Sequence, residues 1–307
     1  MGWLLRSALF AILSIVSPPA LADPEEKPLE ISASIPRSGD FLAFGFGSVW
    51  MMSGSRLARI DPVDNSVVDT IIDGTSGKFR AYQLSEGAVF LPDVLKDVVF
   101  QFDPETSAVV RVIPVDMDQG EGSIGVGEGS VWVMEDGVDR THLVRLSARD
   151  GARQATITLP ADGAGVRVAF GSVWVTAPRA NELYRIDPST SSITQVIPLK
   201  PEPRFLTSDV RSIWVADQSG FIQKINGTSG VVEATIATGR EEGGGDIDAG
   251  GGFVWLSFNS LPLMQVDAKS NSIVAIFQRK YMGDAVRYGA GSLWISGDDL
   301  SRVIAPR

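Results

Sequence analysis

The amino-acid sequence predicts an all-β chain folded as a seven-bladed β-propeller of four-stranded antiparallel blades, and three observations carry that prediction. A tetrapeptide resembling Gly-Ser-Val-Trp occurs seven times: Gly47-Ser48-Val49-Trp50, Gly87-Ala88-Val89-Phe90, Gly129-Ser130-Val131-Trp132, Gly171-Ser172-Val173-Trp174, Arg211-Ser212-Ile213-Trp214, Gly252-Phe253-Val254-Trp255 and Gly291-Ser292-Leu293-Trp294. Its aromatic residue returns at spacings of 40, 42, 42, 40, 41 and 39 residues, the length of one propeller blade. Between copies the chain consists of short, β-branched stretches broken by turn residues, a content that excludes a helical solenoid.

In chain order the first element is an address. Residues 1–22 place a basic start ending at Arg6, a short apolar stretch from Ala8 to Val16, and Ala20-Leu21-Ala22 ahead of Asp23. That pattern predicts a Sec-type signal peptide cleaved after Ala22, a periplasmic or secreted destination, and no membrane insertion after cleavage, because the apolar run is shorter than the ~20 residues a bilayer needs. Residues 23–307 are then a single propeller domain. Its first strand, Leu29 to Ile35, resembles the outer strand Val232-Glu233-Ala234-Thr235-Ile236. Each repeat runs through an apolar inner strand, a Gly-bearing turn, the aromatic strand, a third strand such as Leu57-Ala58-Arg59-Ile60 and an outer strand such as Val67 to Ile71.

The last two strands are joined by turns that place Asp first and often Pro second: Asp61-Pro62, Asp103-Pro104, Asp187-Pro188, and Asp267-Ala268. Proline fixes φ near −65° at that corner. These acidic turns lack the Asp-x-Asp-x-Asp-Gly spacing of a calcium loop, so no metal is expected there. Asn226-Gly227 is the equivalent turn in another repeat, which accounts for its Asn without glycosylation. The seventh copy ends after Ser301-Arg302-Val303-Ile304 with no outer strand, so the N-terminal strand is expected to complete it and close the ring.

Composition narrows the partners. A net charge of −10 argues against nucleic acid and anionic membrane surfaces, which select basic patches. With no cysteine there are neither disulfides nor thiolate chemistry. One aromatic per repeat at a fixed strand position is read as inter-blade packing rather than a ligand cage.

The Gly-Ser-Val-Trp strand, followed by Arg-Ile-Asp-Pro and a Val-Val-x-Thr-Ile strand, resembles the YVTN-type and streptogramin lyase-like (virginiamycin B lyase-like) seven-bladed propellers of bacteria, across essentially all of residues 28–307. For the lyase members the resemblance implies a magnesium ion with catalytic histidines and glutamates on the inner loops of one face. Here the sequence departs from the pattern. His142 is its sole histidine, expected in an exposed loop of blade three, and no Gly-x-Ser-x-Gly nucleophile elbow accompanies it. No catalytic residue is assigned on this basis.

Propellers bind ligands where the loops entering the inner strands converge on the central channel. The candidate residues eight to ten places before each aromatic, or one step nearer, are Asp40, Arg80, Arg167, Arg204, Asp246, Asp248, Asp284 and Arg287. Arg80, Arg167 and Arg204 could hold an anion on one side, while Asp246, Asp248 and Asp284 could hold a cation or amine on the other. The glycine-rich run Arg240 to Asp246 reads as a longer loop between blades. The function expected is therefore an exported, non-catalytic binding or scaffold protein that recognises a small molecule or a partner protein at the channel face. The alternative is a divergent lyase-like, metal-dependent enzyme working through channel carboxylates, or a quinone-related activity. The sequence indicates no particular cofactor.

Overall fold

The structure is a computed structural model; it describes residues 25–304 apart from 73–74, 77–78, 80–81, 119, 121, 138–139, 241–244, 259–260, 279–282 and 284. The leader predicted at residues 1–22 lies outside them. Seven antiparallel sheets follow one another along the chain, and each of the first six runs from an inner strand outward without interruption. The inner strands are Leu42–Gly45, Gln83–Ser85, Ile124–Gly127, Val166–Ala169, Pro203–Ser208, Asp246–Gly250 and Val286–Gly289. Blade seven is composite. Its outer strand, Ile31–Ile35, pairs antiparallel with the C-terminal strand Leu300–Ile304, which closes the ring as the repeat arithmetic predicts. One strand is additional: Glu25–Pro28 pairs in parallel with Ser272–Gln278 and gives blade six a fifth strand.

Both kinds of hairpin are explained by local chemistry. The turn before the aromatic strand has two successive residues at positive φ in Phe46-Gly47, Glu86-Gly87, Glu128-Gly129, Phe170-Gly171, Gly251-Gly252 and Ala290-Gly291. Such turns match the right-handed twist of the flanking strands and favour glycine. Blade five does without it. There Asp209 accepts the amides of Arg211 and Ser212 on Oδ1 at 2.7 Å each, and the Trp214 indole N–H on Oδ2 at 2.8 Å. In the outer hairpins other than that of blade three, which Ser147 leads, the leading Asp or Asn caps the turn, as when Asp103 Oδ1 accepts the amides of Glu105 and Thr106. Four residues further on the chain is left-handed, at Asn65, Ser107, Gly151, Ser191, Gly230 and Asn271. Gly227 has a different reason to be glycine: a Cβ there would lie 2.2 Å from the Phe170 ring of the preceding blade.

The aromatic of each blade enters the core formed with the next. Trp132 packs with Val166, Val173 and Val175 of blade four, Trp214 with Ile247 and Val254 of blade six, and Trp294 with Leu42 and Val49 of blade one. All six tryptophans of the repeats are at most 1% exposed. Directly across the sheet from five of them stands a cation, Arg59, Arg145, Arg185, Lys224 or Arg302, stacked 5.1–5.9 Å from the indole centroid. Each cation then reaches the outer hairpin of the next blade. Arg185 donates to Thr228 O at 2.7 Å, Lys224 to Ala268 O at 2.7 Å, and Arg302 to Pro62 O at 2.7 Å. In blade two Gln101 takes this place and donates to Ala148 O at 3.1 Å. Stacking and a charged hydrogen bond together fasten five of the seams at their periphery.

The seam from blade six to blade seven is the exception. Gln265 stands opposite Trp255 but makes no bond of this kind among the described residues. The reason is topological. The third and outer strands of blade seven belong to opposite ends of the chain, so no hairpin exists there to receive it.

Candidate functional site

The inner-strand position opposite each aromatic forms a ring around the channel: Ala43, Gln83, Gly125, Arg167, Thr207, Asp248 and Arg287. All but Gly125 line a cavity of about 310 Å3 at the channel, together with Asp40, Tyr82, Phe205 and Asp246. The sequence reading placed its candidates on the loops entering the inner strands. Instead Arg167, Arg204, Asp246, Asp248 and Arg287 lie within those strands, because polar residues alternate there with apolar ones instead of preceding an apolar run.

A relay of hydrogen bonds links blades four to seven along the channel wall. Arg167 Nε donates to Ser208 Oγ at 3.1 Å, and Thr207 Oγ1 donates to Asp248 Oδ1 at 3.1 Å. The inner strand of blade seven presents its edge to blade six, and two carboxylates accept its amides. Asp246 Oδ2 takes Val286 N at 3.0 Å and Asp248 Oδ2 takes Tyr288 N at 2.7 Å. Asp246 also forms an ion pair with Arg287. The two aspartates therefore satisfy a sheet edge, a role no repeat alignment reveals because their partners lie about 40 residues away.

Burial pushes the Asp246 carboxyl up to about 6, although Arg287 and the Val286 amide pull it down. Burial alone would lower the Arg287 guanidinium, but Asp246 and Asp248 outweigh it and raise it. Arg167 is lowered by burial, only partly countered by Asp248 and reinforced by Arg287. The Tyr82 hydroxyl, buried with its O–H directed at Phe41 O, is raised well above the usual phenol range by desolvation.

The remaining candidates fall elsewhere. Arg204 is not on the cavity wall; it stacks on its neighbour Phe205 at 5.2 Å, and its Nε is buried without a hydrogen bond among the described residues. Arg80 and Asp284 lie outside the described residues; of the two arginines of the expected arc that are described, Arg167 lines the cavity and Arg204 does not. Asp246 and Asp248 do not form the free cation-holding arc that was expected, since both are turned onto blade seven. His142 is not in an exposed loop: it opens the strand His142–Ser147, half-buried between Glu135 and Thr158, because that strand pairs on both sides from its first residue.

No family model matches the chain, and no curated protein matches it in sequence. Solved structures match it in fold. A streptogramin B lyase is 16% identical over 88% of this chain and 94% of its own, with a TM-score of 0.72. A catalytically inactive histidine-to-alanine virginiamycin B lyase from Staphylococcus aureus, solved with quinupristin, is 14% identical over 91% and 98% of the two chains, with a TM-score of 0.73. The fold is that of the lyase-like seven-bladed propellers. BamB from Moraxella catarrhalis is a more distant match, 12% identical over 88% and 84%, with a TM-score of 0.59.

At these identities the likeness is one of fold alone. Of the histidines implied for lyase members the sequence holds only His142, which sits in the body of blade three and is not among the residues lining the channel cavity. Among the described residues no three of His, Asp and Glu gather in a geometry suited to a metal.

Proposed function

We propose that the protein is an exported, non-catalytic binding or scaffold propeller that recognises a small molecule at the mouth of its central channel. The observation that carries this reading is the cavity itself: about 310 Å3, walled by polar and charged side chains from different blades and by Phe41, Tyr82 and Phe205. Concave sites with a few convergent polar groups among apolar ones are the ordinary form of a small-molecule site. Export is supported by the basic, apolar and small-residue order of residues 1–22.

The test is a thermal-shift screen of the protein against organic anions, amines, neutral amides, quinone cofactors and divalent metals, repeated with Gln83→Trp, which fills the channel. A ligand that raises the melting temperature of the wild type and not of the variant places binding in the cavity. Uniform silence across the panel would sink the small-molecule reading and leave a partner protein.

The fold shared with virginiamycin B lyase keeps one rival in view, a metal-dependent lyase working through channel carboxylates. Incubation with virginiamycin B and divalent metals decides it, and no turnover is expected because Asp246 and Asp248 already accept backbone amides of blade seven.

A further inference from the structure

We infer that Arg167 makes the channel a receptor for a small monocarboxylate with an apolar body. The inference rests on the channel-mouth reading above and specifies its ligand. Three of the charges in the channel wall are engaged with one another or with the edge of blade seven: Asp246, Asp248 and Arg287. Arg167 is not. Its Nε donates to Ser208 Oγ, and no other hydrogen bond or ion pair joins its guanidinium to the described residues. A guanidinium carries five N–H donors, so the terminal fork is left to face a ligand.

Withdrawing this cation from water is unfavourable, and Asp248 compensates only in part. An acceptor in the cavity would recover that loss, and the planar fork matches a carboxylate through two parallel bonds. Room for it lies beside Arg167, where the cavity wall is formed by Gly122 and Gly165. Phe205 and Leu206 continue the same wall and offer apolar surface for the rest of the ligand. A single charge is favoured over a phosphate dianion, because among the described residues Arg167 is the one cation of the cavity wall that is not ion-paired, and Asp248 is near enough to oppose a second negative charge.

Isothermal titration with benzoate, phenylacetate, benzamide, benzylamine and inorganic phosphate tests the inference, using the wild type, Arg167→Gln and Arg167→Lys. The expected result is that the two carboxylates bind at least tenfold more tightly than benzamide, benzylamine or phosphate. Arg167→Gln should lose at least tenfold in carboxylate affinity with an unchanged or higher melting temperature in the absence of ligand, and Arg167→Lys should fall between. Carboxylate binding that survives Arg167→Gln overturns the inference, as does phosphate or benzamide binding as well as benzoate. If benzamide or benzylamine binds instead and Gln83→Trp abolishes it, the channel site stands and the carboxylate assignment fails. If no probe binds, both fail.

Discussion

Asp246 joins the electrostatics of the channel to its architecture. Its carboxyl titrates near 6 in the folded protein and near 3.8 in the unfolded chain, so between these values the folded state holds a proton that the unfolded state has released. Stability contributed by this group therefore falls as pH rises from about 4 to 6, the opposite of the usual aspartate. The turn residues Asp103, Asp187 and Asp267 behave conventionally: backbone and side-chain hydrogen bonds hold them below the usual range, and their contribution is lost on acidification. We expect melting temperature profiles of wild type and Asp246→Asn to differ in slope between pH 4 and 6.5, the wild type declining relative to the variant; parallel profiles would show that Asp246 does not titrate there. At the periphery, Arg185→Ala removes a stacking contact on Trp174 and bonds to Ser172 and Thr228. Its loss should cost about 2 kcal/mol in urea unfolding, whereas an exposed arginine would cost under about 0.5.

At the level of strands and hairpins the sequence was legible wherever a feature repeats at fixed spacing. The aromatic strand, the glycine turn and the Asp-Pro turn each appear in that form, and each is found where the alignment puts it. Features whose partners lie on another blade were hidden. The cations facing the tryptophans drift from eight residues after Trp294 to thirteen after Trp132, so no fixed spacing displays them. Asp246 and Asp248 read as free channel charges because the amides they accept are backbone and carry no sequence signal. Glu25–Pro28 was missed for a similar reason: parallel pairing to blade six leaves no periodic trace in four residues. Blade five supplies the sharpest test of local reasoning. Asp209 alone replaces the glycine turn, so Asp209→Ala should cost about 2–3 kcal/mol by stranding two amides and an indole N–H. Asp209→Asn, which keeps the Oδ1 acceptor, should cost about half of that; equal costs would refute the capping role.

For the molecule as a whole, ring closure is the controlling feature. Removing residues through Ile35 would leave blade seven with three strands and an open edge, and we expect loss of cooperative melting and association in size-exclusion chromatography. Removing residues only through Pro28 would strip the fifth strand of blade six and leave the ring shut, with a much smaller fall in melting temperature. Similar effects of the two truncations would mean that closure does not govern stability. Export is tested at the same scale, by expressing the full chain and sequencing the N-terminus of the secreted or periplasmic product, which should begin at Asp23.

The blade six to blade seven seam, lacking the peripheral cation, is fastened at the channel by Asp246 and Asp248 instead. Under mechanical load this makes the fastening of that seam an inner one. A pull that parted blades six and seven would meet its resistance at the cavity wall, so a molecule lodged there would raise the rupture force of the whole ring.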